Sequence, residues 1–533
     1  MQLLIKKYNT LPREPRETGD DRSLSKNPLR RAVSAAIKAG YQLNQEAFAF
    51  LMGLPQTVDP EKLIKSVVLE MESLQERPLF IDSSILESEA RKVLDSGQKQ
   101  MTPTTTQTSK IVFHPYAKDV EADLRVIKDP TAEVRSTGTL EDYVEYFRDR
   151  YRRMSRLLAR RMDVKTVTPL SEALKSSKGE SARIICMVSG KRETRRGIIL
   201  TVEDLEDTAT VYVPADQKGT VIEKAKALML DQVICLSVIK GRNDLLIAED
   251  VLFPDIPRRK GRRASIPVYA ALISDLHVGS KMFMQSEFER FIRWLKGEFG
   301  GEGAKRVASH VKYLIIAGDV VDGVGIYPQQ MDELYIKDLY KQYEAAAELL
   351  QDVPDYIEII VIPGNHDASR RALPQPAIER AYAEPMYEGR KIYSLGDPLT
   401  ICLHGVNILL YHGRSLDDVI SLVPNMSFQE PERAMTFLLR CRHLAPTYGA
   451  RTTIAPEKKD HMIIEDPPDV LHAGHVHMMG YSTYRGVLAV NSGAWQDQTE
   501  YQREMGHTPN PCIAPVVNLE TLEVMPLDFR TLS

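Results

Sequence analysis

Apolar residues fall into three successive regimes along this chain, and each change of regime marks a boundary. From about residue 26 to 95 they recur at helical spacing. In Pro28–Gly40, Leu29, Ala32, Val33, Ala36 and Ile37 share one helical face and Gly40 stands as a cap. Segments around 46–52, 61–74 and 84–94 repeat the pattern, which predicts a helical N-terminal module over 1–96. The polar, Thr-rich and proline-broken stretch that follows reads as a linker over 97–138. At Thr139-Leu-Glu-Asp142 a helix start appears, and Tyr143, Phe147, Tyr151, Met154 and Leu158 line one side of a helix running to about Arg161. This helix belongs to a connector over 139–180. Its arginines, Arg148, Arg150, Arg152, Arg153, Arg156, Arg160 and Arg161, read as a solvated face.

The second regime, 181–257, consists of short strands: 183–189, 196–202, 209–213, 232–239 and 244–250, with a helix at 221–230 between the third and fourth. Five strands with a helix after the third is the layout of an OB-fold barrel. Of its strand positions, Tyr212 is the main candidate for stacking a base, so a structural role is expected for the barrel. A basic run, Arg258–Arg263, fills a linker over 258–265 and is a candidate phosphate contact. The third regime, 266–533, alternates continuous apolar runs with amphipathic helices. One helix carries Phe288, Phe291, Ile292, Leu295 and Phe299, with Ser286-x-x-Glu289 expected to cap it; another runs from Asp332 to about Gln351. Repeated strand–helix–strand units of this kind predict an α/β core. The whole chain is thus expected to be a multidomain α/β protein.

The apolar runs of the third regime share one property: each delivers polar residues to its end. Val268–Ile273 leads to Asp275 and His277, Val311–Ala317 to Asp319 and Asp322, and Tyr356–Ile362 to Asn365, His366 and Asp367. Val406–Tyr411 leads to His412, and Asp469–Ala473 to His475 and His477. Ligands of open α/β sheets bind at the C-terminal ends of the strands. Oxygen and nitrogen donors without cysteine suit Mn²⁺, Fe²⁺, Zn²⁺ or Mg²⁺, and the set exceeds what one ion needs. Two ions sharing a bridging carboxylate is the economical reading, and such a pair serves phosphoryl transfer.

Composition narrows the rest. A chain of 533 residues is long enough for two or more domains. With a net charge of −4, nucleic-acid contact has to come from local patches. The cysteines, at 186, 235, 402, 441 and 512, form no Cys-x-x-Cys pair and point to a reducing compartment. No apolar stretch approaches the ~20 residues of a membrane span, so a cytoplasmic location is expected.

Asp-x-His, Gly-Asp-x-x-Asp, Gly-Asn-His-Asp, a lone strand-end His and Gly-His-x-His, in that order over 266–533, resemble the calcineurin-like metallophosphoesterase superfamily. Its members nearest by the Asp ending of Gly-Asn-His-Asp are DNA nucleases. Together with what precedes these motifs, the chain resembles the small-subunit family of archaeal family D DNA polymerases, which carries a 3′–5′ proofreading exonuclease. The resemblance implies a two-sheet α/β phosphoesterase domain, two divalent ions with Mn²⁺ for activity, DNA with single-stranded or mismatched 3′ ends as substrate, and a large catalytic polymerase subunit as partner. Carried over residue by residue, it implies that Asp275, His277 and His477 hold one ion, Asn365, His412 and His475 the other, with Asp319 bridging. His366 becomes the general acid or positions the phosphate, Asp367 orients His366, and Asp322 supports Asp319 or a nearby imidazole. His404 is also followed by Gly, but it opens the turn before the apolar strand that leads into His412, so His412 is preferred; His472 reads as a core residue.

Protein phosphatases of the superfamily place Arg after Gly-Asp-x-x-Asp, where this chain has Gly323. Arg370, Arg371 and Arg414 are candidate grips for a nucleic-acid backbone. Near the C-terminus Tyr501, Met505, Val524, Met525, Leu527 and Phe529 are candidates for the partner surface or for completing a sheet. Two alternatives stay open: a stand-alone phosphoesterase, and a polymerase scaffold with little catalysis of its own.

Overall fold

The computed structural model describes residues 113–533 except 216–218, 505 and 533, and, nearer the N-terminus, 59–72 with isolated positions between 32 and 86. The chain divides into units 1–111 and 112–533. In the first, a helix spans Pro60–Glu72, and positions 32, 36, 47, 50, 51 and 86 are helical, in line with the periodicity. The pattern did not anticipate strands β1 (Gln42–Leu43) and β2 (Phe80–Ile81), which pair in parallel. Ala32, Ala36, Leu51, Leu63, Ile64, Val67, Ile81 and Leu86 form one buried cluster there. The remaining expectations for 1–96, and those for 97–112, lie outside the described residues.

The second unit departs first at the expected linker. Residues 124–128 are not a tether but strand β3 (Leu124–Lys128), paired with a strand of the C-terminal half. Most of β3 is exposed, so it carries little of the apolar alternation that would reveal it. The connector helix, Leu140–Ala159, starts where the sequence placed it: Thr139 and Asp142 form a reciprocal capping box. Its arginine face is not all solvated. Arg150 is 1% exposed and Arg153 is tied to Asp149 and Glu465.

Strands β4 (Ser181–Thr194), β5 (Gly197–Glu203), β6 (Thr208–Pro214), β7 (Val233–Lys240) and β8 (Leu245–Leu252) close into a barrel of order β4-β5-β6-β8-β7, with helix Thr220–Lys226 between the third and fourth. Tyr212 donates its hydroxyl to the Arg196 carbonyl. Arg259 of the basic run binds the buried Asp469 carboxylate, so part of that run serves the fold.

The C-terminal half stacks two six-stranded sheets. Strands β9 (Tyr269–Ile273), β10 (Val311–Ala317), β11 (Glu358–Ile362) and β12 (Ile392–Ser394) run parallel. The second sheet takes β13 (Leu399–Leu403), β14 (Val406–Leu410), β15 (Val470–Ala473), β16 (Met479–Tyr484) and β17 (Val487–Ser492), with β3 at its edge. Strands β18 (Ile513–Asn518) and β19 (Val524–Asp528) return to extend the first sheet beyond β9. Alternate residues of β9–β11 explain the unbroken apolar runs. Ala270, Leu272, Tyr313, Ile315 and Ile360 face the second sheet, whereas Ala271, Ile273, Leu314, Ile316 and Ile359 pack with Phe288, Phe291, Trp294 and Tyr343 of the helices outside.

Of the expected partner-surface residues, Phe529 is fully buried and Val524, Met525 and Leu527 sit on β19 against the core, so this group completes a sheet; Met505 lies outside the described residues. The helix expected behind a Ser286 cap starts at Gln285, which puts Ser286 inside it, where its hydroxyl donates to Glu287. The expected helix from Asp332 is split into Gln330–Glu333 and Leu339–Gln351, the latter capped by Asp338.

Candidate metal centre

Strands β9, β10, β11, β14 and β15 bring their polar tips to one edge of the sandwich, as the sequence reading expected. Three overlapping groups result: Asp275, His277 and His477; His277, Asp319 and His366; Asp319, His412 and His475, each with donor atoms within 4.8 Å of one another. Asp319 belongs to two of them. Its Oδ2 lies 3.3 Å from His412 Nε2 and 3.8 Å from His277 Nε2. His477 Nε2 lies 3.5 Å from Asp275 Oδ1, and His412 Nε2 3.1 Å from the Asn365 amide oxygen.

The backbone is bent hard to achieve this. Asp275, His277, Asp319, His475 and His477 all have left-handed φ, between 51° and 72°. Non-glycine residues rarely accept that conformation, and where they do it is commonly at a functional site. The motif glycines serve close approach: a Cβ on Gly364 would lie 2.1 Å from Asp319 Oδ1, and one on Gly318 2.6 Å from His412 Nδ1.

Each imidazole is oriented by a contact at its other nitrogen. His277 Nδ1 meets Asp322 Oδ1 at 3.0 Å, His412 Nδ1 meets the Ala317 carbonyl at 2.8 Å, and His477 Nδ1 meets the Gln502 amide at 2.8 Å. His475 Nε2 lies 3.3 Å from Asp417 Oδ2. Such contacts fix which nitrogen faces the centre. Asp322 therefore supports an imidazole, and Gln330 and Gln496 hold its carboxylate in turn.

His366 sits at the cleft side, with Nε2 4.0 Å from Asp319 Oδ2. Its Nδ1 is held by the Asp322 carbonyl at 2.7 Å, not by Asp367. The expectation for Asp367 is corrected here: its carboxylate accepts the N–H groups of Gly364, Val320 and Val321 and the Tyr343 hydroxyl, so it ties two strand tips together. A turn needs its backbone donors satisfied, and that demand turns the side chain away from its sequence neighbour. Burial, then the nearby Asp319 charge, raise the Asp367 pKa to about 6.

The donor set fits divalent cations. Asp275 and Asp319 are fully buried carboxylates, and among the described residues neither has a Lys or Arg partner. Buried charge without a counter-charge is costly, so the cluster calls for cations. His412 shows the pull: burial works against its charge, yet Asp319 and Asp275 raise its pKa to about 10.

A cleft of about 280 Å³ opens over the centre. Beside the tip residues it is lined by Arg414, Asp417, Arg451, Tyr327, Tyr501 and Gln502, of which the sequence singled out only Arg414 for the site. Arg370 does not reach it; its guanidinium binds Glu457 and the carbonyls of Ala372 and Pro374. Arg371 donates to the Gly325 carbonyl and is not among the lining residues. His404 lies at the other end of β14 from His412, edge-on to Tyr313. His472 is a core residue against Ser492, as expected.

Residues 270–480 match the family model of the DNA polymerase alpha/epsilon B-subunit. A DNA polymerase II small subunit of Archaeoglobus fulgidus is 40% identical over 436 residues, covering 81% of this chain and 85% of its own length. Another, of Halobacterium salinarum, is 37% identical over 523 residues, covering 93% and 98%. Among solved structures, an archaeal phosphodiesterase aligns with 49% of this chain and 99% of its own at 13% identity, with a TM-score of 0.24, too low to relate the two folds.

Proposed function

Since the chain belongs to the family of DNA polymerase II small subunits, we propose that its strand-tip centre is a metal-dependent 3′–5′ exonuclease that removes unpaired or mismatched nucleotides from DNA ends. One observation carries this reading: buried Asp319 joins two groups of nitrogen and oxygen donors and, among the described residues, has no Lys or Arg partner. In calcineurin-like phosphoesterase manner, Asp275, His277 and His477 would hold one divalent ion, Asn365, His412 and His475 a second, and Asp319 both. Two such ions, Mn²⁺ in the active protein, would supply the charge neutralisation and the activation of water that phosphodiester hydrolysis needs.

The chain's own residues do the rest. His366, with Nδ1–H donated to the Asp322 carbonyl, presents Nε2 to the cleft, where it can protonate a leaving oxygen or hold the phosphate. Arg414 lies on the cleft wall, where its charge favours a phosphodiester backbone. Gly323 at the position where phosphatases of the superfamily place Arg favours a diester over a phosphoprotein. A Cβ there would lie 2.4 Å from the His366 carbonyl, so a side chain would push on the loop that carries His366.

The barrel, read as an OB-fold, shares one continuous core with the layer outside the second sheet: Ile184, Val211 and Phe253 pack in the same cluster as Phe437, Leu438 and Leu471. We therefore assign it a scaffolding role, with a large catalytic polymerase subunit as the chain's partner.

The deciding experiment is digestion of end-labelled single-stranded and mismatched DNA by the purified chain with Mn²⁺. Shortening from the 3′ end is the expected result. Turnover of small phosphomonoesters without any cleavage of DNA would replace this reading with that of a phosphatase. Co-elution with the large subunit from a sizing column at high salt tests the scaffold role; separate elution of two folded components would remove it.

A further inference from the structure

The cleft over the centre carries aromatic rings that metal-assisted hydrolysis does not require. Tyr327 follows Asp322 in the loop beyond β10, and Tyr501 stands on the short helix Glu500–Glu504. Their rings stack with centroids 5.3 Å apart and planes 26° from parallel. Tyr327 is the anchored member. Its hydroxyl donates to Glu333 at 2.6 Å, and its ring lies 6.2 Å from that of His366. Glu333 also accepts the backbone N–H of Glu500, which ties the segment bearing Tyr501 to the same post. Beside Tyr501, Gln502 contacts His477 Nδ1, so the stacked pair is registered to the metal centre through adjacent residues.

Tyr501 is 45% exposed and makes no polar contact among the described residues, although it lines the cleft together with His277, Asp319 and His366. Arg414 and Arg451 line the same cleft, and the exposed Arg451 guanidinium has no acceptor among the described residues. An exposed ring lying on a fixed ring is a ready surface for another flat π system, and cations sharing the cleft suit that group's phosphates. A paired base must give up its partner and its stacked neighbour to reach such a ring. An unpaired terminal base has less to lose.

Resting on the nuclease reading above, we propose that Tyr501, supported by Tyr327, is the stacking platform for the terminal base of an unpaired strand and sets the preference for unpaired over paired ends. Tyr501 is then a specificity-determining residue, acting through the base rather than on the phosphate.

The test crosses a protein change with a substrate change. Full-length protein with Mn²⁺ is assayed on a single-stranded oligonucleotide with an intact terminal base and on the same strand with that base removed. In the wild type, removing the base is expected to raise KM about 10-fold, and Tyr501→Ala is expected to raise KM by a similar factor on the intact strand. The two losses should not add: the variant should scarcely distinguish the two strands. Tyr501→Phe, which keeps the ring, should restore wild-type behaviour. Equal base-removal effects in wild type and Tyr501→Ala would overturn the proposal. So would a Tyr501→Phe variant that behaves like Tyr501→Ala, or a Tyr501→Ala defect that lies in kcat and accompanies lost metal through His477. A wild type that leaves the intact strand uncut fails earlier, on the nuclease reading, and the two failures are thereby told apart.

Discussion

The second unit of this protein contains two buried clusters built around aspartate and histidine, and only one of them opens on a cleft. At the strand tips, Asp275 and Asp319 are surrounded by imidazoles. Under the connector helix, Asp460 accepts from Arg150 Nε at 2.7 Å and lies 2.8 Å from His443 Nε2. Arg150 also donates to the Pro446 carbonyl and the Tyr146 hydroxyl, and the Met462 N–H reaches the other oxygen of Asp460. That cluster carries its own cation and is neutral and satisfied. Arg150, His443 and Asp460 avoid the left-handed backbone region, whereas five tip residues occupy it. Buried aspartate beside histidine therefore does not by itself separate a structural ion pair from a candidate metal centre. The lack of a Lys or Arg partner among the described residues, a strained backbone and an open cleft do so together.

The comparison breaks most visibly if either cluster behaves like the other under substitution. Asp319→Ala should abolish DNA cleavage, by about 10³-fold or more, and strip bound metal as read by elemental analysis, since in the proposed centre one carboxylate would serve both ions. His366→Ala should lose about 10²–10⁴-fold in turnover and keep its metal. Loss of metal in the His366 variant would show that His366 is a ligand.

The opposite signature is expected at the connector helix. Arg150→Met leaves the buried Asp460 charge without its guanidinium, and breaking such a pair costs about 3–5 kcal/mol of stability. Urea unfolding measures it. Added Mn²⁺ should raise the stability of this variant and of the wild type alike, because under the proposed assignment the ion would bind at the other cluster. An Mn²⁺-insensitive variant would mean that the two clusters are not independent.

Much of this contrast was legible in the sequence, and what was hidden has a physical reason. Strands β10, β11 and β14 read as apolar runs because sheets covered on both faces need them, and the motif tips follow from their ends. The Thr139 capping box is local and was readable for that reason. Arg150 was not, since a helix face rich in arginine looks solvated until Asp460, distant in sequence, is packed beneath it. Asp367 misled through adjacency to His366, and β3 was hidden by its exposure. Arg451 and Tyr327 come from loops without periodicity and Asp417 from the first turn of the short helix Leu416–Leu422, and only the tertiary fold brings them to the cleft.

A third expected outcome concerns pH. Burial, against the pull of Asp460 and with Arg150 beside it, lowers the His443 pKa to about 4 from an ordinary value near 6.5. Between those values the unfolded chain binds a proton that the folded chain refuses. The stability that His443 contributes is therefore complete above pH 6.5 and is lost as pH falls toward 4, by about 2–3 kcal/mol. Asp460, held far below the carboxylate range because His443 and Arg150 outweigh its burial, begins to add its own loss only below about pH 4. Urea midpoints of wild type and His443→Gln between pH 7 and 4 would show it. An equally steep decline in the variant would assign the slope to other groups.

The smallest expected effect separates two arginines that the sequence treated alike. Arg414 lines the cleft, while Arg370 is spent on Glu457 and two carbonyls. A cation that neutralises one phosphate of a single strand releases counterions, and it contributes about 0.7 to the slope of log affinity against log salt. Arg414→Ala should therefore weaken binding of single-stranded DNA by about 3- to 10-fold at low salt and flatten that slope by close to one contact. Arg370→Ala should leave the slope where it was and show its cost in thermal stability instead, because Glu457 is 3% exposed and loses its guanidinium partner. Fluorescence anisotropy with labelled DNA over a salt series measures the slopes. If Arg370→Ala flattened the slope and Arg414→Ala did not, the nucleic-acid path would have to leave the cleft and cross the surface around Glu457, and the division between a charge-hungry site and self-satisfied ion pairs would fail at its finest grain.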